Sequence, residues 1–400
     1  MIKKIFALAV CWAVCLAAVL PARALDVTPA NDTTFDLPCQ AAILIDQDSG
    51  TVLYEKNADE QRPIASITKV MTLLLTFEAL ENGRIARDEY VPVSEHAYSM
   101  GGSQIWLEPG EKMTLDDMLK AICISSANDA AVAVAEYVGG SEAAFVAAMN
   151  EKAAALGMTN THFENACGLD APGHLSSARD VAIMSREMLL HHAEVADYCT
   201  IWTDTLRGGE TQLVNTNKLL QRYNGITGLK TGTTGQAGVC ISASAERAGL
   251  RLIAVGLGAA AGEERVEAAT ALLDYGFAYF ENVQAPLPQD APRQIAVTHG
   301  METAIDLEYT TPGQYLMYRG QNASLRTEIE LPQNLAAPVK AGQQVGTVKV
   351  LCEEEEVDSC PILASGDVAA RSFAGCFCRL AEALRPECEN FVQNIGSEGR

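Results

Sequence analysis

Three short motifs in this chain carry the groups needed to open a carbonyl: Ser66-Ile67-Thr68-Lys69, Ser126-Ala127-Asn128 and Lys230-Thr231-Gly232. A serine hydroxyl is a weak nucleophile and needs an adjacent base. On a helix, positions three apart share a face, so Ser66 and Lys69 point the same way. A lysine serves as that base when burial and a neighbouring cation depress its pKa enough to populate the neutral amine. The apolar residues following Lys69 supply the burial, and Lys230 could supply the second cation. Ser66 at a helix start also places its backbone N–H among the free donors of the first turn.

Ser126 and Asn128 are two apart and cannot face together on a helix, so a turn is expected between them. A hydroxyl there could relay a proton to a leaving amine, with the Asn128 amide holding substrate or Lys69. Lys230-Thr231-Gly232-Thr233 suits a substrate carboxylate, with charge from Lys230 and hydroxyls from Thr231 and Thr233. Gly232 has no side chain to keep a ligand off the backbone. Each motif alone has a plain explanation: a capping serine before a surface lysine, a helix cap, a glycine turn entering a strand. The ordered trio is far harder to obtain by accident.

The elements that must position these groups are legible in outline. Ala41–Asp46 and Thr51–Glu55 flank a Gly50 turn and read as a hairpin. Ser66 to about Glu81 reads as a helix buried on most sides, with Val70, Leu73, Leu74 and Phe77 at helical spacing. Helical patterns follow at 114–124, 129–138, 142–156 and 179–191. Strand character returns near Asn217, with Lys230–Gly232 leading into 239–245, a neighbouring strand at 251–257, and a helix over 263–280. Strands at both ends with helices between them imply a sheet assembled from distant pieces. Pro286, Pro288 and Pro292 mark a linker, after which Gln294–Thr298, Ala304–Tyr309, Gln314–Tyr318, Leu325–Leu331 and Gly346–Leu351 suggest a small all-β domain. Phe373, Cys376, Phe377, Leu380 and Leu384 form an apolar stripe that reads either as a helix packed on its own protein or as an interfacial membrane attachment.

Four hundred residues at 48% apolar content allow two or three domains with a sizeable core. Lys3 and Lys4, an apolar run from Ile5 to Leu20 and Ala22-Arg23-Ala24 have the layout of a secretory leader cleaved after Ala24. The run is short for a membrane span. The 29 basic residues then lose Lys3, Lys4 and Arg23, leaving 26 against 51 acidic, a formal −25. That balance argues against nucleic acid and against electrostatic docking on anionic lipid. Of the cysteines left after cleavage, Cys123 and Cys240 lie in apolar runs and read as small buried thiols. Cys352 and Cys360 flank an acidic stretch and could close a disulfide hairpin. No Cys or His spacing suggests a metal, and no cofactor is implied.

The trio resembles the signature of the penicillin-binding protein and serine β-lactamase superfamily, and most closely that of the low-molecular-weight D-alanyl-D-alanine carboxypeptidases. The resemblance extends to Arg62–Ser66, Ser125–Ala130, His162-Phe163, Gly168–Asp170, Ser176–Asp180 and Gly228–Thr233, over roughly residues 36–280. It implies an α/β (α+β) β-lactamase/transpeptidase-like domain at 36–283, with a central antiparallel sheet flanked by helices and a helical subdomain. A leader at 1–24, a small all-β domain at 290–365 and a tail at 366–400 would complete the chain. It implies Ser66 as nucleophile, Lys69 as general base and Ser126 as proton relay, with Asn128, Lys230, Thr231, Gly232 and Thr233 binding substrate. The backbone N–H groups of Ser66 and Thr233 would form the oxyanion hole. The implied partners are peptidoglycan stem peptides ending in D-Ala-D-Ala, β-lactam antibiotics and, through the tail, the membrane surface. The implied location is outside the cytoplasmic membrane.

Three other functions compete. A serine β-lactamase would share the nucleophile but needs an extra base, and Glu164-Asn165 does not fit that pattern. A zinc peptidase for the same substrate would have to use His162, Asp170 and His174, which lack ligand spacing. A non-catalytic wall-binding protein is discouraged because no motif residue is missing.

Overall fold

The computed structural model describes residues 23–25, 27–31, 36–321, 324–377 and 379–380. Residues 1–22, where most of the expected leader falls, lie outside the described residues, as does the tail from 381 on. The described chain divides into two compact units. One comprises 26–282 with 316–319; the other is drawn from 1–25, 283–315 and 320–400.

The first unit is built on a sheet whose main strands run antiparallel. They are β1 (Ala41–Asp46), β2 (Val52–Lys56), β3 (Ile226–Thr234), β4 (Gly238–Arg247) and β5 (Leu250–Ala259), in the order β2-β1-β5-β4-β3, with the short Ala30–Asn31 parallel to β2 at the outer edge. As the sequence suggests, the first strand and the last are neighbours: Ile45 pairs with Ile253 and Ile43 with Val255. These four residues face a large core, while Leu44 and Leu252 turn to the other side. Both faces are therefore covered, and β1 is buried along its whole length. One cover is α7 (Gly262–Tyr279), where a Cβ on Gly276 would lie 2.4 Å from Leu252. Only a glycine lets the helix settle so close to the sheet.

The opposite cover holds α1 (Lys69–Glu81), in which Val70, Met71, Leu73, Leu74 and Phe77 are all buried. Each such side chain contributes about 1.5–3 kcal/mol by leaving water. Thr72 and Thr76 share this environment because their hydroxyls donate to the carbonyls of Ala166 and Thr72. Beside α1 stand α2 (Leu115–Ile124), α3 (Asn128–Gly139), α4 (Glu142–Ala155), α5 (Ala178–His191) and α6 (Val195–Cys199). Their starts follow local chemistry: Thr114, Ser141 and Ser177 accept from backbone N–H groups three residues on. Asp116 and Asp117 oppose the positive end of α2.

The helix expected from Ser66 differs in one respect. Residues Ala65–Thr68 form a 3-10 turn, and the α-helix begins at Lys69. Two short ribbons, Tyr90–Pro92 with Lys112–Thr114 and Thr203–Leu206 with Thr211–Val214, fall where the sequence gives no strand signal.

The second unit is a sheet of β6 (Gln294–Thr298), β7 (Ala304–Tyr309), β8 (Leu325–Glu330), β9 (Gln344–Cys352) and β10 (Glu355–Ala364), ordered β8-β9-β10-β7-β6, with Leu335–Ala336 beyond β6. Its core includes Ile295, Val297, Ile305, Val348, Cys360 and Ile362. The acidic stretch near Cys352 is a hairpin, but the disulfide is not there. Cys352 pairs with Glu355 at the turn and Cys360 with Val348, so the two cysteines are not opposite each other and neither forms a disulfide. Cys123 and Cys240 are buried thiols. In the tail a short helical stretch covers 373–377, with Phe373 and Phe377 exposed and their rings 6.5 Å apart.

Candidate active site

The nucleophile candidate sits on a strained turn. Ala65 has φ +49°, the left-handed region that a residue with a Cβ rarely adopts. A Cβ on Gly168 would lie 2.0 Å from the Ala65 carbonyl oxygen, so the loop around 168 presses directly on this turn. In a 3-10 turn, side chains three apart eclipse one another. Lys69 Nζ accordingly reaches Ser66 Oγ at 2.9 Å, a closer alignment than an α-helix would give. Ser66 is only partly buried, whereas Lys69 is wholly so.

Lys69 is held from three sides. Besides Ser66 Oγ it donates to Asn128 Oδ1 at 2.6 Å and to the Cys167 carbonyl at 2.6 Å. Burial pushes its pKa down to about 8, countered in part by the nearby Cys167 thiol and Asp129. Asn128 is itself fixed: its Nδ2 donates to Gly101 O and its backbone N–H to Ser103 O. The Asp129 carboxylate accepts from the N–H groups of Ile105 and Leu107, tying the 101–107 loop to the start of α3.

The expected turn between α2 and α3 is present, with Ser126 in the left-handed region at φ +63°. Its Oγ is buried and, among the described residues, has no hydrogen-bond partner. A buried hydroxyl without a partner is costly unless a ligand completes it.

The third motif lies on β3, the edge strand. A Cβ on Gly232 would lie 2.9 Å from both Ser66 N and Ile64 O, so the strand passes against the Ser66 turn at the one residue that allows it. Lys230 is buried and donates to the Thr231 carbonyl at 2.9 Å. Burial first, and then the charge of Lys69, push it down to about 7. Thr231 Oγ1 donates to Thr216 Oγ1 at 2.7 Å, and exposed Thr233 donates to the Gly232 carbonyl. The residues picked from sequence thus converge: Ser66, Lys69 and Asn128 share hydrogen bonds, Gly232 abuts Ser66, and Lys230 is close enough to repel Lys69.

Five residues contribute to the site in ways that the sequence does not reveal. The Cys167 carbonyl gives no side-chain signal. Gly168 stands inside a quoted motif, but its contact with Ala65 is visible only in three dimensions. Arg265 reads as a surface charge in the first turn of α7. Its Nη1 donates to the carbonyl of Cys240, the residue paired with Gly232, while its buried Nε has no partner among the described residues. Thr68 and His174 join in a buried hydrogen bond of 2.7 Å.

The groups that would serve the competing chemistries are engaged elsewhere. Glu164 Oε1 lies 3.1 Å from His162 Nε2, and Asn165 Oδ1 accepts from the N–H groups of Cys167, Gly168 and Leu169. Asp170 accepts from Thr234, and His174 faces Thr68. Among the described residues, no three His, Cys, Asp or Glu side chains are grouped to hold a metal ion.

Comparison with known proteins agrees with this geometry. Residues 27–261 match the family model described as D-alanyl-D-alanine carboxypeptidase, and residues 280–370 that of the penicillin-binding protein 5 C-terminal domain. D-alanyl-D-alanine carboxypeptidase DacF of Bacillus subtilis (strain 168) is 42% identical over 338 residues, covering 84% of this chain and 87% of that protein. DacC of Escherichia coli (strain K12) is 34% identical over 86% of this chain and 89% of its own length. Penicillin binding protein 5 from Haemophilus influenzae superposes with a TM-score of 0.68 at 29% identity, over 86% of this chain and 99% of that one. Penicillin-binding protein D2 from Listeria monocytogenes, in its cefotaxime-bound form, gives 0.57 at 34% identity, over 61% and 98%. With a strained serine turn, a buried lysine and a glycine-bearing edge strand in one place, and relatives matching along most of its length, the chain belongs to the D-alanyl-D-alanine carboxypeptidase family of penicillin-binding proteins.

Proposed function

We propose that this protein is a serine carboxypeptidase that removes the terminal D-alanine from peptidoglycan stem peptides through an acyl-enzyme on Ser66. The observation that carries this is the wholly buried Lys69 amine, 2.9 Å from the Ser66 hydroxyl with its pKa depressed to about 8. Ser66 Oγ attacks the carbonyl of the penultimate D-alanine while Lys69 takes its proton. The negative oxygen that forms is met by the N–H groups of Ser66 and Thr233, each such donor commonly contributing about 3 kcal/mol. The C–N bond then breaks, the departing D-alanine amine receives a proton through Ser126, and water later hydrolyses the ester on Ser66.

Lys230, Thr231 and Thr233 hold the terminal carboxylate, Gly232 admits the substrate to the strand edge, and Asn128 fixes Lys69. Arg265, whose Nη1 donates to the Cys240 carbonyl, adds a further positive charge beside that strand. A bound carboxylate favours protonated Lys230. That added charge near Lys69 favours the neutral amine which the first step requires. A β-lactam, with an amide carbonyl and a carboxylate in comparable positions, is opened by the same attack and leaves Ser66 esterified.

On this reading the chain comprises an export leader (1–24), a peptidase domain (36–283), a small β domain (290–365) and a tail (366–400) that contacts the membrane surface. The enzyme then works outside the cytoplasmic membrane, on the cell wall. Labelling by a fluorescent penicillin, together with D-alanine release from a pentapeptide, tests the assignment. Both vanish in Ser66→Ala, and labelling that survives there refutes it.

A further inference from the structure

His174 is buried and has one partner on each ring nitrogen. The backbone N–H of Glu164 donates to Nδ1 at 3.0 Å, so Nδ1 carries the lone pair. A neutral imidazole then bears its proton on Nε2, which faces Thr68 Oγ1 at 2.7 Å. Thr68 Oγ1 in turn donates to the Ala65 carbonyl at 2.8 Å. The hydrogen bonds therefore run in one direction, from Glu164 N–H through the imidazole and the Thr68 hydroxyl to Ala65. Their end point is the left-handed residue immediately before Ser66.

The imidazole is firmly mounted. Leu175 and His162 exchange backbone hydrogen bonds, as do Ser176 and Arg62, so the strip carrying His174 is fixed both to the 162 loop and to the chain entering the Ser66 turn. The Phe163 ring packs edge-on at 5.8 Å. Burial holds the imidazole pKa down at about 4, against the opposing pull of Glu164 and Asp170, which keeps the neutral form in place.

We infer that His174 is a positioning residue for acylation: through Thr68 it locks the Ala65 carbonyl, and with it the strained turn that aims Ser66 Oγ. Its ring hydrogen bonds go to Thr68 and Glu164 rather than to Ser66 or Lys69, and nothing in the reaction requires it to exchange a proton. A left-handed alanine persists only where its surroundings over-determine it. Here the carbonyl is pinned by Thr68 on one side and pressed by Gly168 on another. A displacement of about 1 Å at a reacting atom can cost on the order of 100-fold in rate.

This inference rests on Ser66 being the nucleophile, and the test separates the two. Acylation by a fluorescent penicillin is followed by stopped flow, resolving the non-covalent dissociation constant from the acylation rate constant, with thermal unfolding as a check on folding. Thr68→Val removes the relay hydroxyl. His174→Asn keeps an acceptor for Glu164 but cannot reach Thr68. His174→Gln places an amide donor near the Nε2 position. Thr68→Val and His174→Asn should each slow acylation about 10-fold or more with the dissociation constant little changed, as for misalignment rather than lost binding. The double variant should be no slower than the worse single one, because both break one chain. His174→Gln should recover most of the rate. Wild-type acylation in folded Thr68→Val or His174→Asn overturns the inference. So does a loss in His174→Asn that His174→Gln fails to relieve. Labelling that survives Ser66→Ala instead overturns the nucleophile assignment.

Discussion

The two buried lysines of the site are alike in exposure and unlike in company. Lys69 has three fixed acceptors, Ser66 Oγ, Asn128 Oδ1 and Cys167 O, whereas among the described residues Lys230 Nζ donates only to the carbonyl of the next residue. Both are pushed below the usual lysine range by desolvation. The difference separates two uses of a buried amine. One is saturated by the protein and poised to exchange a proton with a single neighbour. The other keeps donor capacity free at a strand edge, where an external anion can claim it.

Four measurements would break or sharpen that contrast. Lys69→Gln keeps a donor but not a base, so acylation should fall about 10²–10⁴-fold, followed as penicillin labelling rate on cooperatively unfolding protein. Lys230→Gln should act on binding instead. Loss of a charged hydrogen bond of about 1.5–3 kcal/mol raises KM for a D-Ala-D-Ala peptide by about 10–100-fold, and a ligand lacking the carboxylate should show no such penalty. Equal penalties for both ligands would erase the distinction between the amines.

The pH profile comes next. With Lys69 near 8, the neutral amine grows as pH rises, so the acylation rate constant should climb between about pH 7 and 9 and then level. With Lys230 near 7 in the empty protein, carboxylate binding should weaken as pH rises above that value. The quotient kcat/KM for a peptide should therefore pass through a maximum between about 7 and 8, and its two limbs belong to the lysine pair jointly. The smallest effect is expected from Thr216→Val, which removes the partner of Thr231 Oγ1. A single neutral hydrogen bond of about 1 kcal/mol predicts a several-fold rise in peptide KM with acylation otherwise unchanged.

Much of this was legible before folding was considered, for reasons particular to each segment. The β-prone runs Gln294–Thr298 and Ala304–Tyr309 coincide with β6 and β7, because short alternating segments between turns leave few other options. The pairing of chain-distant strands followed from element order alone. The site residues were visible because their chemistry resides in side chains at fixed spacing. What escaped is backbone and tertiary in origin. The 3-10 start of α1 depends on the loop around Gly168 pressing on Ala65. The Cys167 carbonyl looks like any other carbonyl in a sequence. Strand β10 was overlooked because its acidic opening, Glu355-Glu356, masks the buried Cys360, Ile362 and Ala364 further along. His174 has no metal-ligand spacing in the sequence, and a role for it emerges only from the partners of its two ring nitrogens.

The neighbouring placement of β1 and β5 has a consequence for how the enzyme comes into being. Ile45, met early in synthesis, has its lateral partner in Ile253, and the lysine-bearing edge strand can dock only once β4 links it to β5. Such high contact order makes folding slow relative to local helix formation. No amino-terminal fragment that stops short of residue 250 can present a working serine, however much of α1 it contains. Activity must therefore wait until the chain beyond residue 250 has joined the sheet.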